Sequence, residues 1–256
     1  MSMNETSPRL ISLPLELPEN IHCPCRFFLC EIAAVENFFS HDVASYLADS
    51  EIAVWSNIRD VNYRRAWLAG RFLVKGIYES LRQNASEPVL NAPRLFPSYE
   101  IISRNASRRG IRPYLTVDKK PTPTAITITH SESMIGVGIA LSETIRLGMD
   151  VASLETVSQK IVKTFFQKEE RQMVYSFPDE HWAERLWCVK EAAYKALNDG
   201  EPFMPSRFNI ASRDDRRLEY SYYFENKIQR TILMSRRVGD AVYAIGTNGV
   251  EKKVKN

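Results

Sequence analysis

The chain repeats a strand pattern and a helix pattern at one fixed distance along the sequence. Residues 64–75 align with residues 184–195 at a shift of 120, and the two segments share a Trp and a Lys in register. The same shift places the apolar segment 27–32 on residues 147–152. A strand and a helix that recur together indicate two halves of similar architecture. The sequence therefore predicts an α/β fold of the α+β kind, with its two halves related by a pseudo-two-fold axis and a ligand site between them.

This repeat and the local composition divide the chain into four parts. We expect an N-terminal arm over residues 1–21, an N-terminal half over 22–123, a C-terminal half over 124–250 and a frayed tail over 251–256. Because one chain already supplies both halves of the cleft, a monomer would suffice.

Hydrophobic periodicity predicts the main elements within each half. In the N-terminal half we expect a buried strand over residues 26–34, a helix over 62–81 and a loop over 83–97. In the C-terminal half we expect strands over 125–130, 134–141 and 145–151 and helices over 157–176 and 180–198, with Asp179 as an N-cap and Gly200 as a terminator.

Composition excludes several classes of protein. The 256 residues are 44% hydrophobic, which is ordinary for a globular chain, and the net charge of +3 is too small to indicate nucleic-acid binding. Four cysteines form no disulfide framework, and a zinc site at residues 22–25 has the wrong ligand spacing. No apolar run approaches the 18 residues that a membrane span needs. We therefore expect a cytoplasmic protein that binds neither membrane nor nucleic acid.

The helix predicted over residues 180–198 carries the most informative charges. Trp187, Glu191 and Lys195 are spaced at i, i+4 and i+8, so they share one face. A carboxylate one turn from a Lys suits a metal and a phosphate bound side by side. The alternative is a solvated surface ion pair, which is common on helices.

Asp150 lies near the end of a predicted strand whose other face is apolar. Its side chain leaves that apolar face, and Gly148 leaves room beside it. A strand-end Asp often caps a turn. Its functional interpretation is a metal ligand with Glu191 as the second, because Mg²⁺ commonly takes one or two carboxylates together with substrate phosphates and water.

Two further groups could contact an anion. His130 ends a different strand, although a lone His is often structural. Arg71 and Lys75 share a face of the predicted N-terminal helix, where Arg65 also lies, and some of these side chains must be solvated.

Five segments together resemble the signatures of the surfactin-type 4′-phosphopantetheinyl transferases. They are Leu-Ala-Gly-Arg-Phe-Leu at 68–73, Thr-Ile-Thr-His-Ser at 127–131, Gly-Met-Asp at 148–150, Phe-Phe-Gln-Lys-Glu-Glu at 165–170 and Trp-x-x-Lys-Glu-Ala-x-x-Lys at 187–195. The resemblance covers roughly residues 55–210, and its most specific part is the Gly-x-Asp motif followed by the Trp-x-x-Lys-Glu-x-x-x-Lys motif.

The resemblance implies a fold, a reaction and partners. Members of this family have two α/β halves related by a pseudo-two-fold, and with Mg²⁺ they transfer the 4′-phosphopantetheine arm of coenzyme A to a serine of an acyl or peptidyl carrier protein. Adenosine 3′,5′-bisphosphate is released. The implied site residues are Asp150 and Glu191 for the metal, Glu191 and Lys195 for catalysis, and Thr129, His130, Arg65, Arg71, Arg112, Lys190 and Lys195 for coenzyme A.

The chain departs from the family pattern at two places. Most relatives carry a second acid two residues after the strand Asp, where this chain has Ala152, so we expect weaker Mg²⁺ binding or a changed metal preference. Residues 110–114 read Gly-Ile-Arg-Pro-Tyr where relatives commonly have Gly-Lys-Pro. Alternatives to the enzyme are a catalytically impaired relative that binds coenzyme A or a carrier as an adaptor, and an unrelated α/β protein.

Overall fold

A computed structural model describes most of the chain. The described residues are 11–13, 25–37, 43–85, 89–90, 93–104, 110–142, 144–197, 202–213, 218–224 and 227–249.

The described residues form a mixed α/β structure. The helices are α1 (Ile32–Glu36), α2 (Asp49–Ser56), α3 (Val61–Arg82), α4 (Gln159–Phe165), α5 (Lys168–Ser176) and α6 (Trp182–Leu197). The strands are β1 (Ile11–Leu13), β2 (Cys25–Glu31), β3 (Tyr99–Arg104), β4 (Gly110–Val117), β5 (Lys120–Pro121), β6 (Ala125–His130), β7 (Met134–Ala140), β8 (Ile145–Ser153), β9 (Phe208–Arg213), β10 (Leu218–Phe224), β11 (Lys227–Val238) and β12 (Ala241–Gly249).

The strands form three antiparallel sheets. The first has the order β1-β2-β7-β6, the second β8-β12-β11-β10-β9 and the third β3-β4-β5. The strands β6 and β8 are therefore edge strands, each of its own sheet.

The two larger sheets pack face to face, and each carries a long helix on its outer face. Along β2, Phe28 and Cys30 point into the core beneath α3, whereas Phe27 and Leu29 point into the core between the sheets, as strand alternation requires. The helix α6 covers the outer face of the second sheet and shares a core with α4 and α5. The layers therefore run α3, first sheet, second sheet, α6.

Gly148 allows α6 to lie directly on β8. A Cβ atom at this position would stand 1.8 Å from the carbonyl oxygen of Ala192 and 3.0 Å from the backbone nitrogen of Ala196. Both obstacles are helix backbone, which cannot rotate aside. The absent side chain therefore sets the distance between β8 and α6.

Each larger sheet is also associated with a buried ion pair that joins a short helix to a long one. Lys75 of α3 contacts Glu51 of α2 at 2.5 Å, and Lys190 of α6 contacts Glu170 of α5 at 2.8 Å. Both glutamates are the third residue of their helix and accept a hydrogen bond from the backbone N–H three residues earlier. Each pair therefore fixes the start of a short helix against a long one.

The strand and the helix of the sequence repeat both occur at the expected places. β2 begins at Cys25 and β8 at Ile145, 120 residues later, while α3 begins at Val61 and α6 at Trp182. The pseudo-two-fold relation between the halves stays a prediction, since these matches concern positions along the chain. The strands β6 and β7 join the sheet of β2, so the change of sheet falls between β7 and β8. The division of the chain into halves at residue 123 stays a prediction.

Several element predictions are confirmed. The helix predicted over 62–81 is α3, which begins where the Asp60 carboxylate accepts a hydrogen bond from the Tyr63 N–H at 2.8 Å. The strands predicted over 125–130, 134–141 and 145–151 are β6, β7 and β8.

The single helix predicted over 157–176 is wrong, because the chain forms α4 and α5 with a break between them. Phe166 and Gln167 are extended, and the Glu170 carboxylate accepts a hydrogen bond from the Gln167 N–H at 2.8 Å. This capping contact starts a new helix. Glu170 also forms an ion pair with Lys190 of α6, so the contact with α6 holds the start of α5 in place.

Two boundaries also differ from expectation. The strand predicted over 26–34 ends at Glu31, and α1 follows. Asp179 is not the N-cap of α6, because it lies in a short 3₁₀ helix and His181 (φ 52°) separates that helix from Trp182.

Parts of the remaining expectations fall outside the described residues. Within the predicted arm, residues 11–13 form β1 and pair with β2. Pro93–Ser98 of the predicted loop region form a 3₁₀ helix. Gly200 and the tail 251–256 lie outside the described residues. Among the helices that are described, none combines the length and apolar character required to cross a bilayer.

We predict that Gly148→Ala destabilises the protein, because the new methyl group must displace the backbone of α6. The free energy of unfolding should fall by about 1–3 kcal/mol or more, measured by urea denaturation. Gly110→Ala on β4 is the matched control, since a Cβ there would meet nothing within 4 Å. Equal stability of the two variants would contradict the close contact between β8 and α6.

Candidate active site

The candidate site lies where the edges of β6 and β8 meet beside α6. The Thr127 hydroxyl accepts a hydrogen bond from the Met149 N–H at 3.2 Å, so a β6 side chain occupies the free edge of β8. One residue further along β8, the Thr129 hydroxyl donates to Asp150 Oδ1 at 2.7 Å. These two threonines bring the edges of the two sheets together at Asp150.

Asp150 is buried between β8 and α6 and contacts a cation from the helix. Its side chain is 9% exposed, and its Oδ1 atom lies 2.7 Å from Lys195 Nζ. The same ammonium donates to the Met149 carbonyl at 3.0 Å. The carboxylate is therefore held from both sides, by Thr129 of β6 and by Lys195 of α6.

Glu191 is the second carboxylate of the site and lies one turn before Lys195. Its Oε2 atom is 3.9 Å from Lys195 Nζ, and its side chain is 30% exposed. The side chain of Trp187 hydrogen-bonds to it from the preceding turn. The predicted shared face of Trp187, Glu191 and Lys195 is thus observed as contacts.

The surroundings of Glu191 raise its pKa. Loss of hydration is the largest cause and the charge of Asp150 is the second, while Lys195 and Trp187 oppose them; the pKa is raised to about 7. A carboxyl group with this pKa changes charge near neutral pH. Glu191 can therefore accept a proton more readily than an ordinary carboxylate, which is a property of general bases.

Lys195 keeps its charge in this setting. Burial favours the neutral amine, yet the carboxylates of Asp150 and Glu191 outweigh that cost and hold the Lys195 pKa above its ordinary value. The ammonium thus lies between two carboxylates as a permanent positive charge.

The Cys188 thiol lies on the buried side of the site, against Asp150, and we did not predict this contact from the sequence. It is fully buried and donates to the Val242 carbonyl at 3.5 Å. Burial, followed by the charge of Asp150, raises the pKa of Cys188 well above its ordinary value, so the group stays a neutral thiol. The available signal was its spacing, three residues before Glu191 on the same helix face.

His130 follows Thr129 and lies at the exposed side of the cluster. Its ring packs against Tyr63 at the start of α3, with ring centroids 5.6 Å apart. Loss of hydration and the nearby charge of Lys195 lower the His130 pKa, although a hydrogen bond with the Ser131 backbone and the charge of Asp150 act in the opposite direction. A neutral imidazole can donate one hydrogen bond to an anion that approaches from this side.

Two of the predicted arginines interact with other carboxylates. Arg65 is exposed and forms a bidentate ion pair with Glu36 of α1, with both N–O distances at 2.5 Å.

Arg71 is buried. Its guanidinium lies 3.3 Å from the centre of the Trp67 ring and 3.6 Å from Glu51. Burial lowers the Arg71 pKa to about 10, and its Nε atom is buried without a hydrogen-bond partner. Arg112 lies half-buried on β4.

The structure corrects the expectation that Lys190 contacts coenzyme A. Its side chain is 0% exposed, and its ammonium bonds to Glu170 at 2.8 Å and to the carbonyls of Pro205 and Phe208 at 3.2 and 2.7 Å. All three contacts lie in the core beneath α6, about 100° around the helix from Glu191. We therefore assign Lys190 to packing between α5, α6 and β9.

Ala152 occupies the position where most relatives carry an acid. It is half-buried and packs against the apolar core of α6. Among the described residues, no group of three or more His, Cys, Asp or Glu side chains could hold a metal ion. The assignment of Asp150 and Glu191 as metal ligands stays a prediction.

Comparison with known families supports the resemblance. Residues 146–245 match the family model of the 4′-phosphopantetheinyl transferase superfamily. This stretch runs from β8 to β12, includes Asp150, Glu191 and Lys195, and covers less than half of the 256 residues. The similarity supports a transferase domain at the level of the superfamily, while membership of the surfactin-type subfamily stays a prediction. No curated protein shows significant sequence similarity to the chain.

We predict that Lys190→Met is strongly destabilising, because it leaves Glu170 buried without its counter-charge. The free energy of unfolding should fall by about 3–5 kcal/mol in urea denaturation. Lys163→Met, at the exposed end of α4, is the control and should change it by less than about 0.5 kcal/mol. A Lys190→Met protein with normal stability and weakened coenzyme A binding would instead support the original prediction that Lys190 contacts coenzyme A.

We predict that Glu191→Gln makes stability less dependent on pH. Between the ordinary pKa of 4.5 and about 7, folded Glu191 holds a proton that the unfolded chain has lost, so wild-type stability falls as pH rises through this interval. Without divalent cations, the variant should match wild type near pH 4.5 and exceed it by about 2 kcal/mol at pH 8. Urea unfolding at both pH values measures this, with Glu169→Gln as the control. Equal stabilities at pH 8 would contradict the raised pKa.

Proposed function

We propose that the chain transfers the 4′-phosphopantetheine arm of coenzyme A to a serine of an acyl or peptidyl carrier protein. The observation that carries this proposal is the convergence of Asp150, Glu191 and Lys195 within the stretch that matches the superfamily. Two carboxylates and an ammonium supply the charges that a transfer at phosphorus requires.

The two carboxylates fit a Mg²⁺ ion. They are hard oxygen donors, and they converge on one position that a positive charge, the Lys195 ammonium, already occupies. Mg²⁺ is usually held by one or two protein carboxylates, with phosphates and water as further ligands. Bound by Asp150 and Glu191, the ion would neutralise charge on the diphosphate of coenzyme A.

The reaction needs a proton acceptor for the incoming serine. The serine oxygen forms a bond to the phosphorus that carries the pantetheine arm, and the bond from this phosphorus to the adenosine 3′,5′-bisphosphate oxygen breaks. The serine proton passes to Glu191, directly or through water. Glu191 suits this role because its side chain is 30% exposed, whereas that of Asp150 is 9% exposed and is held by Thr129 and Lys195.

Lys195 and His130 are suited to the leaving side of the reaction. The Lys195 ammonium would pair with the diphosphate and stabilise the charge that develops on the departing oxygen. His130 is exposed, feels the charge of Lys195 and can donate a hydrogen bond to a phosphate. Thr129 is buried and hydrogen-bonded to Asp150. We therefore propose that Thr129 orients Asp150, the metal ligand, and does not contact coenzyme A directly.

We predict that the protein, mixed with coenzyme A, Mg²⁺ and an unmodified carrier, adds a phosphopantetheine group to the carrier. Mass spectrometry of the intact carrier measures the mass gain. Glu191→Gln should lower the rate by at least about 100-fold, because the general base is lost. Glu169→Gln, at an exposed position on α5 outside the candidate site, is the control and should keep the wild-type rate.

Two results would contradict the proposal in different ways. Absence of any mass gain with fatty-acid, polyketide and nonribosomal-peptide carriers, together with retained coenzyme A binding, would favour an adaptor. An active Glu191→Gln variant would leave the transferase in place and remove the assignment of Glu191 as base.

A further inference from the structure

Lys195 occupies the position on which both carboxylates of the site converge. Its Nζ atom lies 2.7 Å from Asp150 Oδ1, 3.9 Å from Glu191 Oε2 and 3.0 Å from the carbonyl oxygen of Met149. All three are oxygen atoms that attract a cation. The ammonium is thus hydrogen-bonded to two of these oxygens and lies at ion-pair distance from the third, in the place that a small cation would take.

A second cation at this position would be repelled by the Lys195 ammonium unless the site rearranges. Asp150 and Glu191 carry two negative charges when ionised, and Lys195 neutralises one of them. A divalent ion that joined them would lie next to the ammonium, and two positive charges at such short range repel strongly in a partly buried site. The repulsion is relieved when Lys195 withdraws, and it is relieved further when a diphosphate brings its own negative charges.

Lys195 has the freedom to withdraw. Its side chain is 26% exposed, in contrast to that of Lys190 on the same helix, which is 0% exposed. The exposed His130 is near enough for the charge of Lys195 to act on it. A diphosphate that entered beside His130 would therefore offer the ammonium new oxygen partners close to its present ones.

We infer that Lys195 is a resident counter-cation of the Asp150–Glu191 site, and that a divalent cation and the diphosphate of the substrate bind cooperatively because together they displace it. The inference rests on the proposed function for the identity of the diphosphate ligand. Coupling of this kind is reciprocal, so each ligand tightens the binding of the other by the same factor.

Binding of Mn²⁺ as the metal probe tests the inference without any measurement of turnover. Electron paramagnetic resonance of free Mn²⁺ gives the affinity of the metal-free protein, with and without coenzyme A, after subtraction of Mn²⁺ bound to coenzyme A alone. We expect wild type to bind Mn²⁺ at least about tenfold more tightly when coenzyme A is present.

Two variants at position 195 separate charge from shape. Lys195→Met removes the competing charge, so it should bind Mn²⁺ about tenfold more tightly than wild type without coenzyme A and gain little when coenzyme A is added. Lys195→Arg keeps the charge and should bind as weakly as wild type. Lys163→Met, on α4, controls for the loss of a positive charge elsewhere and should also behave as wild type.

The possible failures are distinguishable. If Lys195→Met binds Mn²⁺ no more tightly than wild type while wild type still modifies a carrier, the inference is wrong and the proposed function stands. If wild type binds no Mn²⁺ in either condition and modifies no carrier, both are wrong. Should Lys195→Met not fold, wild type alone decides, because an Mn²⁺ affinity that coenzyme A leaves unchanged overturns the inference.

Discussion

The close approach of α6 to β8 is the constraint on which the candidate site depends. Gly148 permits it, since any side chain there would enter the backbone of the helix at Ala192. The carboxylate of Asp150, two residues along the strand, then lies within 2.7 Å of an ammonium on α6. A wider separation would leave Asp150 and Glu191 as two unrelated surface acids. The chemistry of the site is therefore set by backbone packing before any charged group is considered.

A second set of contacts brings the other sheet to the same point. Thr127 and Thr129 of β6 bond to the backbone and side chain of neighbouring β8 residues, so the edges of two sheets are joined by polar groups at the site and by apolar groups elsewhere. Acidic, basic and hydroxyl groups from β6, β8 and α6 consequently meet within a few ångströms. The contact from Thr127 also gives the Met149 N–H a partner that an edge strand would otherwise lack.

Sequence patterns predicted the features of this structure that depend on local periodicity. The helix α3 and the strands β6 to β8 follow from periods of 3.6 and 2, and the helical spacing of Glu191 and Lys195 placed their side chains together. The break between α4 and α5 was missed because it depends on Glu170 reaching Lys190, which is distant in sequence. Burial of Lys190 was missed for the same reason: periodicity places a residue on a helix face, but not the partner that makes a buried charge tolerable.

The neighbours Lys190 and Glu191 give α6 an unusual sensitivity to register. Lys190 points into the core and completes an ion pair, while Glu191 lies in the candidate site and carries the proposed chemistry. A shift of α6 by one residue would turn each side chain by about 100°, placing a lysine in the candidate site and a glutamate against Glu170. Structure and function would then fail together. An insertion or deletion between Cys188 and Lys195 would therefore disrupt the core and the candidate site at once, so related chains should align through this segment without gaps.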